Sequence, residues 1–268
     1  MSSRLFSAGL QSAFLLVPAL ALPLHRARAQ APTLPFAIGE RLEYLARAPK
    51  GLRGHAQMWI EGPESVRGVP TMVLRFSFTT KIGFVRVSDR SSSWLDPVRF
   101  AALRFSKDEV RFMARHSERE EMDPLTQRWT AADGRAGRSA SSFPLDELSF
   151  IYLIRTLDMA KDSSIVLDRH FDEARNPTVI RSLGRSRVVT PAGSFATREY
   201  EMRVRDARNY RGDGVIRFSV SDDPCRRPVR IESTIPDAGT VTMTLASAQP
   251  AIAACASSGA AAIAATTH

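Results

Sequence analysis

The sequence predicts an all-β domain with one helix, in which an antiparallel sheet curves into a barrel or half-barrel. Apolar and polar residues alternate with a period of two along much of the chain, as in strands with one buried face and one solvated face. Turn-forming pairs such as Asp133-Gly134 and Asn176-Pro177 separate these stretches. Only the segment 145–157 has helical spacing instead. About ten or more short strands at this spacing are typical of sandwiches and barrels.

The strands follow from their alternation. Between 199 and 205, Tyr200, Met202 and Val204 alternate with charged residues, which indicates a strand that buries one face only. Such strands suit antiparallel sheets, because these can leave one side in water. The same reasoning predicts strands at 41–47, 55–60, 71–79, 84–89, 99–105, 109–116, 165–168, 178–187, 199–205, 215–220, 229–233 and 240–246.

The helix is predicted over about 145–157, where acidic residues at 146 and 147 favour a helix start. The segment is apolar nearly all round, so we expect it to pack on the sheet or to plug one end of a barrel. Arg155 is the exception in this apolar surface. If it is buried, it needs a carboxylate partner, because an unpaired buried charge is very costly. Asp89 and Asp96 are the predicted partners.

The first thirty residues have the order of a secretory signal peptide. Arg4 precedes an apolar core at 13–22, and Ala27-Arg28-Ala29 forms a small-x-small cleavage signal. The apolar core is shorter than the roughly 20 residues of a membrane span. We therefore expect cleavage after Ala29 and an exported protein, periplasmic or outer-membrane-associated, with no transmembrane span once the signal is removed. The predicted organisation is a signal peptide at 1–29, one β-rich domain at 30–247 and an Ala-rich, weakly ordered tail at 248–268.

The charge pattern and the cysteine content limit the partners and the chemistry that we expect of this protein. The formal net charge is +9 at pH 7, but basic and acidic residues are interspersed along the chain. This pattern indicates a solvated surface rather than a nucleic-acid interface, so we expect no nucleic-acid partner. Cys225 and Cys255 are the two cysteines. In an oxidising compartment we expect them to form a disulfide that pins the C-terminal tail, with no redox role because no Cys-x-x-Cys is present.

Motifs for catalysis, metal ions or cofactors are weak. His55, His116, His170 and His268 have no metal-ligand spacing, and no nucleophile elbow or phosphate loop occurs. We therefore predict no catalytic residues, no metal and no cofactor.

The most polar-aromatic stretch is Asp89-Arg-Ser-Ser-Ser-Trp94-Leu-Asp96. Two carboxylates beside an aromatic platform suit sugar binding or glycan hydrolysis. The other interpretation is a turn between strands, with the acids capping backbone donors and Trp94 in the core. Asp89, Trp94, Asp96 and Arg155 are thus the ligand-binding candidates.

Several segments taken in order resemble a known family. They are PFAIGERLEY (35–44), DRSSSWLD (89–96), LSFIYLIRT (148–156), PAGSF (191–195), FSVSDD (218–223), RPV (227–229) and GTVT (239–242). Over residues 35–246 the chain resembles the exported bacterial proteins catalogued as domain of unknown function 3108. The resemblance implies export and a β-rich fold, and it implies no catalytic residues.

A curved sheet with a helical plug can enclose an apolar cavity. The leading hypothesis is therefore non-enzymatic binding of a lipid or glycolipid envelope component. The expected cavity lining is Met72, Phe76, Phe78, Met202 and Met243. One alternative is a structural or assembly factor that binds another envelope protein through a sheet edge or an apolar patch. Another is a glycan hydrolase that uses Asp89 and Asp96, which would then lie about 5–9.5 Å apart.

Overall fold

The structure is a computed structural model and describes residues 33–82, 85–111, 114–205, 213–235 and 239–252. The predicted signal peptide, Cys255 and most of the predicted tail lie outside these residues. Among the residues described, no helix has the length and apolar character needed to cross a membrane.

The described residues form one sheet and one α-helix. The elements are β1 (Arg41–Arg47), β2 (Arg53–Val66), β3 (Val69–Ile82), β4 (Val85–Asp96), β5 (Ala101–Arg111), β6 (Ala114–Asp123), β7 (Arg128–Ala131), β8 (Ala136–Arg138), α1 (Glu147–Thr156), β9 (Ser164–Leu167), β10 (Thr178–Thr190), β11 (Gly193–Arg205), β12 (Asp213–Ser221), β13 (Pro228–Ile235) and β14 (Gly239–Gln249).

The described strands form a 14-stranded sheet in the order β8-β7-β6-β5-β4-β3-β2-β1-β14-β13-β12-β11-β10-β9. Within each half, every strand pairs antiparallel with its neighbour in the chain, and the β1–β14 pair joins the two halves. The sheet does not close, so β8 and β9 are its edges. The predicted curved antiparallel sheet with one helix is confirmed, in its half-barrel form.

Alternation explains which face of each strand is buried. In β1, Leu42, Tyr44 and Ala46 are buried and the residues between them are exposed. The long strands also bend, because bulges interrupt their ladders and increase the local twist. One bulge shifts the β2–β3 register between Glu61 and Glu64, and another lies between Ser182 and Gly184 in β10. These bends let one sheet curve around a shared apolar core.

The helix begins where the sequence predicts and is held by a capping box. The Asp146 side chain accepts hydrogen bonds from the backbone N–H groups of Leu148 and Ser149, while the Ser149 hydroxyl accepts one from the Asp146 N–H. The buried Ser93 hydroxyl donates to the other Asp146 oxygen at 2.5 Å, which anchors the helix start to β4. Burial raises the pKa of Asp146 to about 7, although these hydrogen bonds oppose the shift.

The chain before the helix is tied to both halves of the sheet. The Ala102 N–H at the start of β5 donates to Pro144 O at 2.8 Å. On the other side, Leu145 N–H donates to Arg169 O at 2.6 Å, and Phe171 N–H donates to Leu145 O at 3.0 Å. The chain entering α1 therefore links β5 to the chain that follows β9.

Arg155 is fully buried on this helix, but its carboxylate partner is Glu40. The guanidinium donates to both Glu40 oxygens, at 2.6 and 2.8 Å, and also to three backbone carbonyls. The prediction that Asp89 or Asp96 would pair with Arg155 is wrong. The Arg155 side chain points from α1 towards the segment that leads into β1 and not towards β4. Glu40 is the last residue of that segment.

The predicted turn around residues 90–93 is also wrong. β4 runs unbroken from Val85 to Asp96 and is paired with β3 on one side and β5 on the other. A short polar run such as Ser91-Ser92-Ser93 is typical of turns. Here it lies in a central strand, where both neighbouring ladders satisfy its backbone groups.

Candidate functional site

A partly open cavity of about 340 Å³ lies between the inner face of the sheet and helix α1. Its walls come from β3, β4 and β5 on one side and from β12, β13 and β14 on the other, with α1 between them. Most of the lining is apolar, and it includes Phe76, Phe78, Phe105, Ile151, Ile231 and Met243. Its volume is at the lower end of the roughly 300–1,000 Å³ of small-molecule pockets.

The strand register sets where the lining changes from apolar to polar. Phe105, Lys107 and Glu109 alternate along β5, so all three point into the cavity. Their cross-strand partners on β4 are Ser93, Ser91 and Asp89, in that order. The inner face thus begins aromatic at Phe105 and becomes charged towards Glu109 and Asp89.

The charged wall is centred on Lys107. Its ammonium nitrogen lies 3.6 Å from Asp89 Oδ2 and 3.2 Å from Glu109 Oε1. Burial raises the pKa of Asp89. The charge of Lys107 opposes this shift, and the charge of Glu109 adds to it. Burial alone would lower the pKa of Lys107, but Asp89, Glu109 and Glu147 together hold it above its ordinary value. The lysine is therefore a protonated group held between carboxylates.

Glu147, the first residue of α1, adds a third carboxylate to this wall. Burial would raise the pKa of Glu147, but Arg175 beside it, with His170 and Lys107, holds the pKa well below its ordinary value. Arg175 pairs with Glu147 Oε1, and His170 Nε2 lies 3.9 Å from the same oxygen. Glu147 Oε2 has no hydrogen-bond partner among the described residues.

The residues predicted to line a cavity divide into two groups. Phe76, Phe78 and Met243 lie in the cavity wall. Met202 is buried in the apolar core and Met72 packs against that core while half-buried, but neither is part of the lining.

The polar-aromatic stretch does not form one site. Asp89 faces the cavity, whereas Trp94 is half-buried and donates its indole N–H to Glu64 Oε2 at 2.6 Å. The guanidinium groups of Arg75 and Arg104 lie 5.4 and 5.5 Å from the centroid of its ring. The interpretation that places Trp94 in the core is therefore wrong. Two guanidinium groups already lie over the ring and its indole N–H is already paired, so protein side chains engage Trp94.

Asp96 has a structural role at the end of β4. It accepts hydrogen bonds from the backbone N–H groups of Val98 and Arg99, at 2.9 and 3.2 Å, and so caps the turn into β5. Asp89 and Asp96 are separated by seven positions of one extended strand, or about 23 Å at ~3.3 Å per residue. Glycoside hydrolysis needs two carboxyl groups about 5–9.5 Å apart. The hypothesis of a hydrolase that uses this pair is therefore wrong.

Lys107, Glu109 and Glu147 are the site residues that sequence reasoning missed. The available signal was the alternation of Phe105, Lys107 and Glu109, which places two charged side chains on the same strand face as a core aromatic residue.

A second, smaller cavity of about 290 Å³ adjoins β5, β6 and β7 and contains the buried Glu120. Burial raises the pKa of Glu120 to about 7, and the charges of Glu118 and Glu147 add to the shift. Arg135 opposes it from 3.6 Å. The other oxygen, Glu120 Oε2, has no hydrogen-bond partner among the described residues.

The fold and the cavity define a β-barrel-like protein with an open sheet and an internal cavity. The chain belongs to the family described as protein of unknown function (DUF3108), whose model matches residues 51–246. No curated protein matches the sequence.

Three solved structures match this chain at low sequence identity, and the first of them shares its fold. A β-barrel-like protein of domain of unknown function DUF1849 from Brucella abortus is 10% identical, with 81% of this chain and 99% of that chain covered and a TM-score of 0.54. A candidate lipoprotein from Parabacteroides distasonis is 10% identical, with 81% and 99% covered and a TM-score of 0.34. A candidate exported protein with a YmcC-like fold from Bacteroides fragilis is 12% identical, with 81% and 98% covered and a TM-score of 0.33.

Proposed function

We propose that this protein is a non-enzymatic envelope protein that binds the apolar part of a lipid or glycolipid in the cavity beneath α1. The observation that carries the proposal is the cavity itself, about 340 Å³ of space lined mainly by aromatic and aliphatic side chains. A filled core would leave no such space, because protein interiors are close-packed.

The size of the cavity limits what it holds. A space near the lower end of the ligand-pocket range accommodates one acyl-chain segment rather than a whole diacyl lipid. Each buried methylene contributes about 0.8 kcal/mol, so six methylenes would contribute about 5 kcal/mol before the cost of immobilisation. A binding free energy of this size suits a reversible carrier, because a carrier must release its ligand as well as bind it.

The proposal includes export of the protein. The signal at 1–29 would be removed and the mature chain would start at Gln30. Cys225 is buried, and its proposed disulfide partner Cys255 lies outside the described residues. Intact mass of the periplasmic protein, with thiol alkylation before and after reduction, tests both points. Mature protein that starts elsewhere, or that alkylates without reduction, would contradict them.

Native mass spectrometry of the protein purified from its own envelope, followed by organic extraction, tests the carrier function. We expect a bound amphipathic molecule that is lost on denaturation. A matched pair of variants links the ligand to the cavity. Val241→Trp fills the cavity wall, whereas Val166→Trp places the same ring at an exposed position of β9. Loss of ligand in the first variant alone supports the proposal, and equal occupancy in both variants refutes it.

An assembly factor is the second candidate, favoured by one observation at the sheet edge. β9 pairs only with residues Thr178–Arg181 of the 13-residue β10. Beyond Ser182, the remainder of β10 has no strand partner on that side within the described part of the chain, and Val189 there is 71% exposed. An added strand from another protein would pair with this edge. Photo-crosslinking from position 189 in the envelope separates this candidate from the carrier.

A further inference from the structure

The charged wall of the main cavity limits the chemistry of the ligand's polar end. Asp89, Glu109 and Glu147 supply three carboxylates, and Lys107 supplies one ammonium group. Arg175 and His170 contact Glu147 but are not part of the cavity lining. A ligand in the cavity therefore meets a wall with an excess of negative charge.

Lys107 is already engaged. Its ammonium nitrogen lies within 3.6 Å of Asp89 and 3.2 Å of Glu109. A phosphate or carboxylate on a ligand would have to displace one of these carboxylates and would then lie beside both of them. Like charges in a poorly solvated site repel strongly, so an anionic headgroup is disfavoured here.

The wall has spare hydrogen-bond acceptors. An ionised carboxylate accepts about four hydrogen bonds and donates none. Glu147 Oε2 is buried without a hydrogen-bond partner among the described residues, which costs free energy until a donor reaches it. A ligand that brings donors and positive charge would satisfy this oxygen. It would also offset the burial that raises the pKa of Asp89.

We propose that the polar end of the ligand is a protonated amine, which binds Glu147 and Asp89 while the apolar part lies along Phe76, Phe78 and Ile231. This inference rests on the proposed function and adds the headgroup class to it. An amine-bearing lipid is thus the expected ligand, and a lipid whose headgroup is a bare phosphate or carboxylate is disfavoured by the wall.

The test compares ligands that differ only at the headgroup. Dodecylammonium, dodecanol and dodecanoate, each below its micelle concentration and near neutral pH, compete with the neutral fluorophore N-phenyl-1-naphthylamine on the mature protein. We expect dodecylammonium to displace the probe at about tenfold lower concentration than dodecanoate, the ratio for one charge-assisted hydrogen bond. Dodecanol should lie between the two.

Variants assign the preference to the wall. Glu147→Gln and Asp89→Asn should each narrow the gap between ammonium and carboxylate, and Lys107→Gln should widen it. Glu61→Gln is the matched control, because this half-exposed carboxylate pairs with Arg75 outside the cavity. Unchanged dodecanol affinity and circular dichroism show that a variant is folded.

The outcomes separate the two proposals. If all three ligands displace the probe but dodecanoate equals or exceeds dodecylammonium, the amine inference is overturned and the carrier function stands. If an ammonium preference persists unchanged in both Glu147→Gln and Asp89→Asn, the wall is not its source and the inference is also overturned. If the probe does not bind, or if it binds and none of the three ligands displaces it, the carrier function fails, and the inference fails with it.

Discussion

Replacing Glu40 by Gln is expected to destabilise the protein strongly, because it removes the counter-charge of a fully buried arginine. Arg155 is 0% exposed and donates to both Glu40 oxygens and to the carbonyls of Pro35, Cys225 and Arg226. After the substitution those carbonyls remain, but the positive charge has no carboxylate beside it. Glu40 holds the pKa of Arg155 above its ordinary value in the native protein, although burial opposes this. Without Glu40 the guanidinium still stays protonated, because arginine is not deprotonated in proteins.

The magnitude follows from burial. Removing one partner of a buried ion pair costs about 3–5 kcal/mol, a large part of the ~5–15 kcal/mol that stabilises a typical domain. The control is Glu121→Gln, which removes the carboxylate partner of Arg67 and Arg104 where all three side chains are more than 40% exposed. Exposed pairs of this kind should contribute less than about 1 kcal/mol each.

Urea unfolding of the mature protein, followed by far-ultraviolet circular dichroism, measures both changes through the transition midpoint and its slope. The double variant Glu40→Gln, Arg155→Met should lose less stability than the sum of the two single variants, because no uncompensated charge remains. If Glu40→Gln shifts the midpoint no more than Glu121→Gln does, the buried pair is not a main support of the fold and the reasoning is refuted.

Three further substitutions have directions fixed by the structure. Asp146→Ala removes the N-cap of α1 and should cost about 2 kcal/mol in urea unfolding, whereas Asp146→Asn should cost less. Tyr44→Phe removes the donor to Pro228 O at 2.9 Å and should cost about 1–2 kcal/mol in the same assay. Glu120→Gln should stabilise the protein by about 1–2 kcal/mol at pH 8 and leave it unchanged at pH 4. The folded pKa of Glu120 is about 7 and its unfolded pKa is lower. Ionisation of Glu120 therefore destabilises the native protein progressively as the pH rises from the unfolded pKa to about 7, and the glutamine variant avoids this loss.

Strand alternation made most of the sheet predictable, and its failures have physical causes. The predicted strand at 41–47 coincides with β1, Arg41–Arg47, because its alternation is regular. β7 and β8 were missed because strands of four and three residues are too short to show a period. The strand predicted at 84–89 ends too early, because the serines that follow it in β4 are typical of turns. Only the strand pairing on both sides holds these serines extended.

The site was less predictable than the fold, because its contacts join distant parts of the chain. A buried Arg155 requires an acidic partner, and sequence reasoning states that need correctly. The partner is Glu40, 115 positions earlier, and no local pattern distinguishes it from the other acids of the chain. The same holds for Glu147, which α1 brings to the wall formed by Asp89 on β4 and Lys107 on β5.

The charged wall takes the place of apolar core residues, and this argues for a role in binding. Asp89, Lys107 and Glu109 occupy inward positions that alternation would otherwise fill with residues like their neighbour Phe105. Well-packed apolar residues in place of a buried ion pair are often neutral or stabilising. Burial is the largest cause of the raised pKa of Asp89, so it disfavours the charged form of this side chain. A ligand with a hydrogen-bond donor and a positive charge would pair with these carboxylates, and this explains why charged residues stand where an apolar lining would pack better.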